Sequence, residues 1–281
     1  MAYGKWLLAS LVLAVCTPAF AQPAGKVAPK KAVAKAVAKA TVSDVGAEVA
    51  ALGGVDVEVA ARAADKLGTL DAPAAHDALL DALAMGLAPS VAVPAINALA
   101  LHPAPPDVGA LRRYAGHHNP AVRSAALGAL AMYPDPIAQA AVVAALHDPV
   151  GNVRNAAAAA AGRGHVRSAV DPLLLLLARG EESSARALAV LADPDLARKI
   201  ADQLGHVPDP ALASCLGLIL KRADFGPEAA RVEVVRAIGK IADQAAVAAL
   251  TDYLDAVPKN PPRPSRKEAE MIVEARLGGG K

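Results

Sequence analysis

Seven histidines and two cysteines are the side chains from which this 281-residue chain could assemble a metal site or a nucleophile. No Cys-x-x-Cys pair, His-Glu-x-x-His, Gly-x-Ser-x-Gly or Gly-rich phosphate loop occurs in it. His117 and His118, His147 and His206 each fall just before a turn that joins two helical patterns. On stacked helices such residues line an edge at about 10 Å intervals, whereas metal ligands must converge to within about 4 Å. No metal site, cofactor or catalytic residue is therefore expected. The turn after Leu177 carries Arg179-Gly180-Glu181 and interrupts the row. Imidazoles meeting free carbonyls at helix ends are the simpler expectation, and a pH-sensitive edge is the other reading. Arginines recur more regularly. Arg123 and Arg154 are 31 residues apart, and Arg186 and Arg231 fall near the same place in later units. Such a row could bind an anionic partner on a concave face, or it could tie neighbouring units together.

The elements that position these groups follow from composition. Hydrophobic residues make up 54% of the chain and aromatic ones only 2%, so Ala, Leu and Val must build the interior. Ala and Leu favour helix, and strand-forming residues are scarce, so the expected fold is all-α. The segments VAARAADKLG, VAVPAINALA, VRSAALGALA and VRNAAAAAAG begin at Val59, Val91, Val122 and Val153, at spacings of 32, 31 and 31 residues. Self-similarity at this period marks a stacked array whose single unit cannot bury its own face. A second helical pattern lies between each pair. Asn119-Pro120, Asp135-Pro136, Asp148-Pro149, Asp171-Pro172, Asp193-Pro194 and Asp209-Pro210 each place a capping side chain before a helix-starting proline. About fourteen helices can be drawn this way between residues 44 and 277.

The segments DPVGNVRNAAAAAAG (148–162), HNPAVRSAALGALA (118–131) and ARVEVVRAIGKIADQAAVAALTDYL (230–254) resemble the HEAT-like repeats of the phycobilisome-lyase type. The resemblance extends over residues 44–257 and implies a right-handed α-α superhelix of antiparallel helix pairs, six to seven repeats long. It also implies that the arginine row is an Asp–Arg ladder, with Asp148 as the nearest acidic partner. The ladder is preferred over a ligand-binding role because an unpaired arginine in a packed stack is costly. Regularity fails between residues 183 and 230, where one helix is expected to be missing or swapped and the register to change near Asp224 to Pro227.

The ends differ from the middle. Lys5, the apolar run from Trp6 to Val15, and Ala19-Phe20-Ala21 read as a signal peptide cleaved between Ala21 and Gln22. A lipoprotein anchored at Cys16 is the alternative, although Val15 fits that pattern poorly. After cleavage Cys215 is the only cysteine, so no internal disulfide is possible, and its apolar setting points to an inert buried thiol. Residues 22–43 form a Lys/Ala/Pro-rich linker in which Lys26, Lys30, Lys31, Lys35 and Lys39 could touch an anionic envelope surface. Residues 258–281 read as a Pro-rich spacer and a C-terminal helix, which could cap the stack or dock on a partner. Residues 44–257 hold 17 basic and 24 acidic groups, a net of −7. That balance argues against nucleic acid as a partner.

The function expected from this is a non-catalytic scaffold or adaptor in the cell envelope, periplasmic or secreted, monomeric and with a protein partner. The alternatives are a lyase- or chaperone-type accessory factor, or a binder tethered through the lysine segment.

Overall fold

The computed structural model describes residues 45–278, all within the unit Thr41–Lys281. The signal peptide, the Ala21/Gln22 cleavage site, Cys16 and the five linker lysines lie outside the described residues. Helical residues 45–52 are α1. They are followed by α2 (Val57–Thr69), α3 (Pro73–Met85), α4 (Pro89–Leu99), α5 (Asp107–Ala115), α6 (Pro120–Leu130), α7 (Pro136–Ala145) and α8 (Gly151–Arg163). A short 3-10 turn at Arg167–Ala169 leads into α9 (Val170–Ala178) and α10 (Glu182–Leu191). The chain continues through α11 (Pro194–Ala201), α12 (Asp209–Lys221), α13 (Glu228–Lys240), α14 (Gln244–Ala256) and α15 (Pro264–Gly278). Fifteen α-helices and no strand occur among the described residues, so the fold is an all-α, HEAT-like superhelix.

Helix starts show which capping signals act. Asn119 Oδ1 accepts from Ala121 N at 2.9 Å, and Asp135 and Asp193 cap α7 and α11 in the same way, each ahead of a proline. The other three Asp-Pro pairs do not. Asp148 precedes α8 by a turn and is spent on Val150 N and on Arg123, Asp171 lies inside the first turn of α9, and Asp209 is already helical.

Alternate helices form two layers. The even-numbered helices from α2 to α14 stack side by side, and the odd-numbered ones pack on them as a second layer. Buried alanines at 63, 64, 95, 98, 126, 157, 160 and 161 fill the gap with little bulk, which lets the even layer pack tightly. At its closest approach no side chain fits. A Cβ added to Gly68 on α2 would sit 2.5 Å from the Ala98 Cβ on α4.

The irregular stretch decides between a missing and a swapped helix. No helix is missing, because α10, α11, α12 and α13 alternate between layers as their predecessors do. What changes is the layer that carries the capping arginine, which follows Val122 and Val153 in the earlier units and Ala230 here. It lies on α6 and α8 in the even layer, then reappears on α13 in the odd layer. The short α11 and the seven-residue link 202–208 precede that change. Phe225 anchors the next turn, buried beneath the Arg231 guanidinium at 5.8 Å. The last helix, α15, packs on α13 and α14 and presses Ile272 against Gly239.

Candidate interaction groove

The arginine signature places guanidinium groups against helix ends. The Arg123 side chain pairs with both oxygens of Asp148, at 2.8 and 2.9 Å, and donates from Nη1 to the carbonyls of His117 and His118. One period on, Arg154 binds Glu181 at 2.7 Å and donates to the carbonyls of Asp148 and Pro149. Each arginine satisfies carbonyls left open at the end of the preceding helix and reaches an acid beyond it. Arg231 likewise caps the preceding helix, donating to the carbonyls of Leu220, Arg222 and Ala223, but its acid is Glu228, 3.9 Å away on its own helix. Arg266 on α15 donates to Leu254 O and Val257 O. The Arg123 guanidinium holds the Asp148 carboxyl below the ordinary carboxylate range.

Arg186 stands apart from this row. It falls 32 residues after Arg154, so the ladder position belongs to Ala185, which is buried. Arg186 instead faces solvent with 62% of its side chain exposed and a loose contact to Glu182 at 3.3 Å. Arg231, by contrast, is only 5% exposed, which removes it from any partner-facing set, and Arg123 is sealed in its capping role. Arg154 and Arg186 are the two that line one cavity, in the gap between α8 and α10.

That gap is a groove of about 670 Å³. Its floor is small, formed by Gly151, Ala159, Gly162 and Ala187, with Val190 at one end. Its walls carry Arg154, Arg163 and Arg186 against Glu181 and Glu182. Arg154 and Glu181 neutralise each other, and Asn155 bonds Ser183 at 2.7 Å. Arg163 has only a 3.5 Å contact to Gly128 O, so Arg163 and Arg186 are the cations free to exchange partners.

His117 and His118 behave differently from their sequence reading. The carbonyls at the α5 end go to Arg123, while His117 Nδ1 accepts from Asn119 N at 3.0 Å and its ring lies tilted against that of His118. No group of three or more potential metal ligands occurs among the described residues. Cys215 is fully buried, and burial pushes its thiol up to about 12.

A second polar cluster escaped sequence reasoning. Asp107 is completely buried at the start of α5. Its Oδ2 accepts from Tyr133 Oη at 2.5 Å and from Ala104 N at 2.9 Å, and its Oδ1 lies 2.7 Å from His76 Nε2. Burial, and then the bond to Asp107, raise the Tyr133 phenol far above its usual value. His76 and Asp107 are 31 residues apart, one period of the array, and that spacing was the available signal.

Residues 79–163 match the profile of HEAT repeats. No curated protein sequence matches the chain. Among solved structures, Kap121p is similar over 89% of this chain and 35% of its own, at 16% identity and a TM-score of 0.53, so the chain spans about a third of that protein. The CpcE–CpcF complex of phycocyanin lyase from Nostoc sp. PCC7120 aligns at 20% identity, 81% of this chain, 92% of that chain and a TM-score of 0.46. Human deoxyhypusine hydroxylase aligns at 18% identity, 87% of this chain, 99% of that chain and a TM-score of 0.41. With its layered helices and its capping arginines, this chain has a HEAT-like repeat fold, and residues 79–163 carry the HEAT-repeat profile.

Proposed function

We propose that the chain is a non-catalytic interaction scaffold that holds an acidic segment of a protein partner in the groove between α8 and α10. The observation that carries this reading is the groove itself, floored by glycine and alanine and flanked by Arg163 and Arg186 with only weak contacts of their own. A small-residue floor admits a partner's backbone, and the two weakly engaged guanidinium groups offer charge-assisted bonds to its carboxylates. Kap121p, which has a similar fold, has been solved bound to Ste12p. The scaffold acts outside the cytoplasm, in the periplasm or secreted, a setting supported by Lys5, the apolar run to Val15 and Ala19-Phe20-Ala21. The lysines of residues 22–43 add a weak contact with an anionic envelope surface.

An affinity capture from the native envelope fraction tests this, comparing the parent with an Arg163→Glu/Arg186→Glu variant. A partner retained by the parent and lost from the variant is expected, and equal retention by both overturns the groove assignment. Sequencing the N-terminus of the mature protein tests export, and a start at Met1 contradicts it.

A further inference from the structure

The polar cluster behind His76 backs a second concavity, separate from the α8–α10 groove. A cleft of about 370 Å³ opens between α2, α3, α4 and the link that follows α4, a size within the range of small-ligand sites. Leu67, Leu70, Leu79 and Leu80 supply apolar wall, and Asp71 and Asp77 stand exposed at it. His76 lines the same cleft with only 16% of its side chain exposed.

The orientation of that imidazole is fixed from behind. Asp107 Oδ2 is filled by two donors, Tyr133 Oη and Ala104 N, and Oδ1 takes the third, His76 Nε2–H. A ring that donates from Nε2 to a carboxylate presents the lone pair of Nδ1 when neutral. Among the described residues nothing bonds that Nδ1. The charged side chains of the cleft are mainly acidic: Asp71 and Asp77 line it beside His102, whose Nδ1 lies 4.0 Å from Asp71 Oδ1. Residues 45–107 contain eight acidic and two basic groups, whereas residues 108–257 contain 15 of each.

We infer that this cleft binds a primary alkylammonium ion, with the ammonium group donating to His76 Nδ1 under the field of Asp71 and Asp77 and the alkyl chain among the leucines. An anion is repelled by the rim, and a neutral alkane leaves the His76 acceptor unpaired. A free amine and a partner's lysine side chain share this chemistry.

Titration of the full chain with n-hexylammonium, Nα-acetyl-lysine methylamide and n-hexanoate, followed by the imidazole ¹⁵N signals of His76, tests the inference. The expected result is an Nε2–H ring whose Nδ1 signal moves with hexylammonium or the lysine amide and stays still with hexanoate. The tighter of the two cations identifies the source. An Asp71→Asn/Asp77→Asn variant keeps the buried cluster intact, and its affinity should fall about tenfold for the loss of two charged acceptors. Equal response to hexanoate, no response to either cation, or a ring protonated only on Nδ1 overturns the inference.

Discussion

Replacing Asp107 with alanine tests the reasoning about buried polar groups at its most exposed point. The carboxylate is fully buried and accepts from Tyr133 Oη, Ala104 N and His76 Nε2. Asp107→Ala strands all three donors. His76 retains some solvent contact, but the Tyr133 hydroxyl loses the acceptor for its proton and the Ala104 amide loses its carboxylate partner. Each orphaned buried donor costs about 1–3 kcal/mol, and relief from burying a carboxylate offsets part of this, leaving a net loss of about 3 kcal/mol. For a domain of this size that loss lowers Tm by about 6–12 °C. Tyr133→Phe removes a single donor and leaves Asp107 two partners, so it should cost only about 1 kcal/mol. Circular dichroism melts of both variants supply the totals. Hydrogen exchange supplies the location, because neighbour-coupled repeats open locally. Faster exchange is expected in α3, α5 and residues 130–133, with α12 to α15 unchanged. An Asp107→Ala protein that melts with the parent refutes the argument, as does a Tyr133→Phe variant that loses more than Asp107→Ala.

Further outcomes follow from other contacts. Gly68→Leu should destabilise the α2–α4 contact by about 2 kcal/mol through overpacking against Ala98, and a parent-like denaturant midpoint counts against the close approach. Asp148 titrates below its ordinary value of 3.8 when folded, so its stabilising pairing with Arg123 is complete above that value and fades as pH falls through the depressed folded one. Asp148→Asn should therefore be less stable near neutrality and show a shallower acid limb in stability against pH. Cys215, buried and held near 12, should resist an aromatic disulfide reagent at pH 8 and react at once in guanidinium.

The repeat architecture was legible because small residues recur at a fixed period and prolines punctuate the helices, as at Asn119-Pro120 and Asp135-Pro136. Arg123 and Arg154 could be placed because both follow a buried valine in the first turn of an even-layer helix. Arg186 could not, since a one-residue slip turns a helix position by about 100° and moves a capping arginine into solvent. The change before Arg231 showed in the sequence only as a break in spacing near Asp224 to Pro227, and its form, a change of layer, did not, for a related reason. Periodicity reports where helices begin, and it is the length of α11 and its following link that decide which layer receives the next arginine. The Asp107 cluster was hidden because its members lie on α3, on α5 and past the end of α6, so no local pattern joins them. Asp107 itself reads as an ordinary first-turn acid.

The measurement that bears most directly on the scaffold reading is site-specific photo-crosslinking in the native envelope, with the reactive side chain placed at Ala159, exposed in the groove, or at Leu175 on the exposed surface of α9. The groove position should capture a defined protein, and that product should disappear when Arg163 and Arg186 are reversed to glutamate. Capture that is equal at Leu175, or that survives the charge reversal, contradicts the proposed interaction surface.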